Sequence, residues 1–189
     1  ISQWSKEYRL PVANVFHAGD GNLHPLILYD ANKPGELERT EEFGARILEL
    51  SVNVGGTITV IEGDHGSAYF YPDSEAAHKA IQCQVELQRR AGGDAMIGRQ
   101  LYPLLTKAGF DAIHVSPRMV YVDSSKPDLV EGFTKNTFTA MIEGIRDDAL
   151  KAGIVDQATF DSGIRDLYRT AEDDGVFCYT FFKAVAARR

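Results

Sequence analysis

Gly55-Gly56-Thr57-Ile58-Thr59-Val60-Ile61 decides the architecture of this chain. Every residue from Thr57 to Ile61 is β-branched, which suits a buried strand, and the glycine pair ahead of it stops whatever helix comes before. Working upstream, Phe43, Ile47, Leu50 and Val54 fall at helical spacing and give a helix one apolar face. Pro34 sits near the start of that helix, where its missing N–H costs nothing. Leu26-Ile27-Leu28-Tyr29 and the run Val12, Val15, Phe16 read as two further strands, and residues 1–10 read as the end of a helix. Between these strands lies the glycine-containing loop His17-Ala18-Gly19-Asp20-Gly21-Asn22-Leu23-His24-Pro25.

Downstream, Glu62-Gly63-Asp64-His65-Gly66-Ser67 reads as a polar turn that closes the strand. Helices are expected over residues 73–92, capped by Asp73 or Ser74, and over 97–108, 127–152 and 156–170. Residues 112–122 read as a strand pair or one long strand interrupted by Pro117. Val176 to Val185 is an apolar, aromatic strand. The pattern is α/β, but the second part holds only about three strands, fewer than a doubly wound sheet needs.

The 189 residues suit one domain or two small ones, and 44% hydrophobic with 25% charged residues is ordinary for a globular chain. A net charge of -7 opposes a phosphate backbone, so nucleic acid is excluded as the main partner. No apolar run reaches the roughly 18 residues of a membrane span. Ile1 to Tyr8 lacks the apolar core of a signal peptide. With no initiator Met, the chain is expected to start inside a longer reading frame. Cys83 and Cys178 form no metal or disulfide pattern, which fits reduced thiols in a cytoplasmic protein.

The loop after the first strand carries the clearest chemistry. His17 and His24 bracket two glycines, and imidazole is a good ligand for zinc, manganese or iron. A strand-edge loop can aim both rings at one point, and Asp20 can orient a ring or add a ligand. The bland alternative is a pair of loop histidines bonded to the backbone, and spacing alone does not decide between them.

His17-Ala-Gly-Asp-Gly-Asn-Leu-His-Pro25 resembles the signature of the C-terminal domain of FAD-linked 2-hydroxyacid oxidases and dehydrogenases, the glycolate oxidase and D-lactate dehydrogenase type. The resemblance runs over residues 1–59 and implies a partial α+β segment of that domain. It implies that His17 and His24 bind a divalent metal, Zn, Mn or Fe, which holds the carboxylate and hydroxyl oxygens of a small 2-hydroxyacid. Asn22 becomes a substrate contact. The implied reaction passes a hydride to FAD, supplied by a separate flavin-binding domain or chain. In the family a Gly-Glu-His-Gly follows the Gly-Gly-Thr-Ile-Thr stretch, its Glu a further ligand and its His a base. Here Val60-Ile61-Glu62-Gly63-Asp64-His65-Gly66 stands there instead. Asp64 is then the third-ligand candidate and His65 the catalytic one, but the extra residues ahead of Gly63 displace them along a strand.

Residues 55–189 resemble something else, the C-terminal half of a class I S-adenosylmethionine-dependent methyltransferase. The stretches that carry this are the glycine-opened strand, Gly98 to Leu105, Pro117 to Asp123, Asn136 to Met141 and Phe177 to Ala184. The implied fold is an incomplete Rossmann-like sheet whose last strand inserts antiparallel. The glycine-rich loop that would hold S-adenosylmethionine is not in the sequence. His65, Arg118, Tyr121 and Asn136 are its substrate-side candidates, Arg118 weighed against a solvated surface arginine and Tyr121 against core packing. Both families carry Gly-Gly-Thr-Ile-Thr, so the chain is expected to be a chimera joined there. Three readings result: an oxidoreductase fragment inactive alone, a methyltransferase without its cofactor half, and a non-catalytic α/β domain with exposed sheet edges.

Overall fold

The computed structural model describes residues 1–17, 22–30, 33–53 and 57–187, with side chains left aside at 14–17, 22–25, 48 and 51–53. The chain divides into two compact units, Ile1–Ile58 with Ala187–Arg189, and Thr59–Ala186.

In the first unit, helix α1 (Ser2–Tyr8) ends on Arg9, whose φ of 54° places it in the left-handed region. Its carboxyl end is tied down by Ser5, which donates to the Leu10 carbonyl at 2.6 Å. Strands β1 (Val12–His17) and β2 (Asn22–Ile27) form an antiparallel ribbon. The expected loop over 17–25 is therefore shorter, because the chain is a strand again from Asn22. Pro25 pairs with Asn14 inside this ribbon. A two-stranded ribbon is all edge, and an edge tolerates a residue that donates no hydrogen bond. Helix α2 (Glu36–Asn53) opens with Glu36 and Glu38 beside its positive N-terminus. Its Phe43 is fully buried and stacks on Tyr8 at 5.2 Å, with Trp4 edge-on at 6.5 Å. Arg46, one turn on, lies 5.0 Å over the Trp4 ring and donates to Glu7 at 2.7 Å.

The second unit is built on a three-stranded sheet in the order β3-β5-β4, where β3 is Thr57–Tyr71, β4 is Asp111–Asp123 and β5 is Val176–Ala187. The last strand thus lies between the other two. Phe70 packs parallel to Phe177 and Thr180 donates its N–H to Ser67, so β3 and β5 run in opposite directions. The central position explains why β5 is apolar almost throughout, since both of its faces are covered.

The turn expected at Glu62 to Ser67 is instead the middle of β3. The polar residues satisfy the extended backbone themselves. The Gly66 N–H donates to the Asp64 carboxylate at 3.0 Å and Ser67 Oγ to the Asp64 carbonyl at 2.7 Å. The His65 N–H leaves the ladder for the Ala95 carbonyl at 2.9 Å. Gly63 and His65 approach Tyr179, yet Ala68 and Phe70 pack in the same core. The core-facing parity therefore switches between them, as one extra residue in a β-bulge requires. Pro117 does not interrupt β4, because β4 lies at the sheet edge.

Helix α3 (Glu75–Arg90) starts where Ser74 Oγ accepts from the Ala77 N–H, as a serine cap should. Residues 97–107 divide into a 3-10 turn, Ile97–Gln100, and α4 (Leu101–Lys107). The single helix expected over 127–152 is four pieces: α5 (Pro127–Leu129), a π-helical run Val130–Thr139, α6 (Ala140–Gly144) and α7 (Arg146–Lys151). The wider π turn brings Thr134, Phe138 and Thr139 to the buried side together. Helix α8 (Gln157–Arg169) crosses α3 closely, since a Cβ on Gly163 would meet the Ala76 carbonyl. Ala77, Ile81, Phe138, Ile142, Phe160, Leu167 and Phe177 form one core with these helices against the sheet.

Candidate functional site

The histidine pair lies on the β1–β2 ribbon. In its register His17 pairs with Asn22 and Val15 with His24. Residues paired across a ribbon share a face, and so do residues two apart on one strand. Positions 17, 22 and 24 therefore share one face, with 17 and 24 diagonal neighbours at about 7–8 Å between backbone positions. Two imidazoles and a carboxamide at such positions are a donor set a divalent ion accepts. Asp20 lies outside the described residues, as do Gly55 and Gly56 of the join. Among the described residues, no group of three or more His, Cys, Asp or Glu side chains could hold a metal ion.

The other candidates gather on β3 and β5. Asp64 is 2% exposed, and its two carboxylate oxygens accept from Arg99 Nε at 2.7 Å and Nη2 at 2.8 Å. Expected as a third metal ligand, this carboxylate is instead the acceptor half of a two-pronged ion pair. A buried charge without such a partner is costly, so the guanidinium fixes where the carboxylate points. One residue on, His65 Nδ1 lies 2.7 Å from the Tyr179 hydroxyl, and the ring packs against Phe138. His65 Nε2 is buried and meets no partner among the described residues.

Burial lowers the His65 pKa below its ordinary value, with the Asp64 charge opposing the fall, so the ring is neutral at pH 7. Burial first, and the Asp64 charge second, push the Tyr179 phenol up to about 12. Burial also raises the Glu62 carboxyl. Both cysteines are free, with thiols held up by burial, so neither is an activated nucleophile.

The remaining candidates stand apart from this cluster. Arg118 is exposed on β4. Tyr121 is 43% exposed and lies under the Lys126 ammonium, a surface contact rather than the expected core packing. Asn136 donates to Glu131 at 3.1 Å on the exposed side of the π run. Arg99 and Tyr179, the partners that organise Asp64 and His65, are absent from the sequence-level candidates. Arg99 is 35 residues from Asp64 and Tyr179 is 114 from His65, and no local motif links such positions.

These features meet a known family at one end of the chain. Residues 1–67 match the C-terminal domain of FAD linked oxidases. The matched stretch contains the ribbon, α2 and β3 as far as Ser67. The glycolate oxidase subunit GlcD of Escherichia coli (strain K12) is 64% identical over 124 residues, covering 61% of this chain and 23% of that protein. GlcD of Bacillus subtilis (strain 168) is 41% identical over 66 residues, 35% of this chain and 13% of that protein. "Probable D-lactate dehydrogenase, mitochondrial" of Danio rerio is 39% identical over 56 residues, 30% of this chain and 10% of that protein. The chain thus spans at most about a quarter of these relatives. The methyltransferase resemblance of residues 55–189 draws no support from these matches. Among the described residues no helix is long and apolar enough to cross a membrane.

Proposed function

We propose that this chain is part of a flavin-dependent 2-hydroxyacid oxidase or dehydrogenase, with His17 and His24 as ligands of a divalent metal and Asn22 as a substrate contact. The observation that carries this is the ribbon register, in which His17 pairs with Asn22 and Val15 with His24. The bound metal supplies a positive centre for the carboxylate and hydroxyl oxygens of a small 2-hydroxyacid. The ribbon's own part is to keep the two histidine positions at a fixed separation, so the ligands need no reorganisation on binding. Asp64 is not in this ligand set, because Arg99 holds both of its oxygens. The flavin comes from a separate domain or chain, and without it no turnover is expected. Reduced thiols at Cys83 and Cys178 support a cytoplasmic setting.

Metal analysis of the purified chain after supply of Zn, Mn and Fe tests the reading. About one divalent ion per chain is expected, falling at least tenfold in His17→Ala and in His24→Ala. Metal-free wild-type protein at neutral pH would end it.

A second reading has one observation in its favour. The order β3-β5-β4, with β5 antiparallel to β3, is what the methyltransferase resemblance implies for residues 55–189. It makes that part a remnant of such an enzyme, joined to the oxidase piece near Thr57. Calorimetry with millimolar S-adenosylmethionine tests for surviving cofactor binding. Sequencing one unbroken DNA molecule across codons 50–70 tests the join, and continuous native coding in independent clones would remove the chimera.

A further inference from the structure

We propose that Tyr179 is a positioning residue that holds the His65 ring in one tautomer, with the proton on Nε2. The Tyr179 hydroxyl and His65 Nδ1 are 2.7 Å apart, a full hydrogen bond across two strands. A phenol carries one proton to donate, and Nδ1 is the acceptor within its reach among the described residues. Tyr179 is 3% exposed, so its proton is turned to the ring rather than to solvent. Nδ1 then accepts, and a neutral imidazole that accepts at Nδ1 carries its hydrogen on Nε2.

The surroundings are built to keep this pair. Gly63 clears the path of the phenol, since a Cβ there would lie 2.3 Å from the Tyr179 oxygen. Tyr179 and Phe138 pack on the ring at 5.7 and 6.0 Å between centroids. The charged groups near the pair are Asp64, which is ion-paired with Arg99, and Glu62 on the same strand. Phe138 brings no charge from the π-helical run.

The consequence concerns what His65 can do. Its Nδ1 lone pair is occupied by Tyr179 and its Nε2 lone pair by a proton, so at neutral pH neither nitrogen has an open lone pair for a metal or a substrate proton. His65 instead offers a buried N–H to a hydrogen-bond-accepting oxygen. This differs from the role as a base that the oxidase resemblance implies. It does not rest on the metal reading for His17 and His24.

Nitrogen-15 NMR of the full chain labelled at histidine tests this, with His65 assigned by the signals lost in His65→Gln. The wild type is expected to show a protonated Nε2 and an unprotonated Nδ1 on His65. Tyr179→Phe keeps the ring in the core but removes the donor, and is expected to shift the signals to a mixture of tautomers. Gly63→Ala displaces the phenol and is expected to do the same. Equimolar zinc chloride is expected to leave the His65 Nε2 proton in place. A wild-type ring protonated on Nδ1 overturns the proposal by itself, even where the variants do not fold. So does an unchanged tautomer ratio in a folded Tyr179→Phe, or loss of the Nε2 proton to zinc.

Discussion

Among the described residues, the buried apolar side chains of the first unit are Leu10 and Phe43, whereas the second unit buries Phe138, Ile142, Phe160, Leu167, Phe177 and fifteen others. The histidine motif and most of the family match lie in the first unit, and the core lies in the second. A ribbon and two helices can present ligands, but their own apolar area is small, so they add little stability of their own. A sheet with helices packed on it is stable without any recognisable chemistry. Motif strength and packing strength are thus separate properties, and here they sit in different parts of the chain.

The contrast can be broken most directly at Phe177, which is fully buried on the central strand. Phe177→Ala should cost about 3–5 kcal/mol in urea denaturation and leave metal uptake at the ribbon unchanged. Metal loss in that variant would mean that the two units are energetically one. Arg99→Ala should come next. It leaves a carboxylate only 2% exposed without its partner, while Arg99 itself is half open to water. About 2–3 kcal/mol is expected, from the lower end for broken buried pairs, measured against Asp64→Asn combined with Arg99→Ala. A double variant no more stable than the single one would deny that the unpaired charge is the cost. Ser74→Ala removes the α3 cap and should cost about 1 kcal/mol in thermal melts.

The smallest effect concerns pH. The folded-state pKa of His65 is lowered from 6.5, so the unfolded chain takes up the proton first as pH falls. The neutral ring therefore contributes stability above pH 6.5 that is lost as pH falls from there through the folded value. The wild type should lose its advantage over His65→Gln across that window in urea titrations. An advantage that grows on acidification would show that the ring is charged when folded.

Much of the fold was legible because local rules dominate it. The β-branched run at Thr57 marked a strand, Ser74 marked the start of α3, and the apolar run from Val176 marked β5. The errors arose where distant partners override local preference. Glu62 to Ser67 has turn composition, yet Ala95 and the Asp64 side chain satisfy its backbone in an extended form. Residues 127–152 read as one helix, yet Val130–Thr139 winds as a π run whose Phe138 packs on Phe177 of β5. Pro117 looked like an interruption because sequence does not say which strand is an edge.

The site divides in the same way. The sequence by itself determined that two histidines and an asparagine lie within eight residues; the strand from Asn22 and the register that puts positions 17, 22 and 24 on one face came from the structure. It also determined that Asp64 and His65 were residues to watch. Only the tertiary structure decided what those two do. Their partners come from far along the chain: Arg99 on a helical turn makes the aspartate half of an ion pair, and Tyr179, brought beside β3 by β5, makes the histidine a held ring.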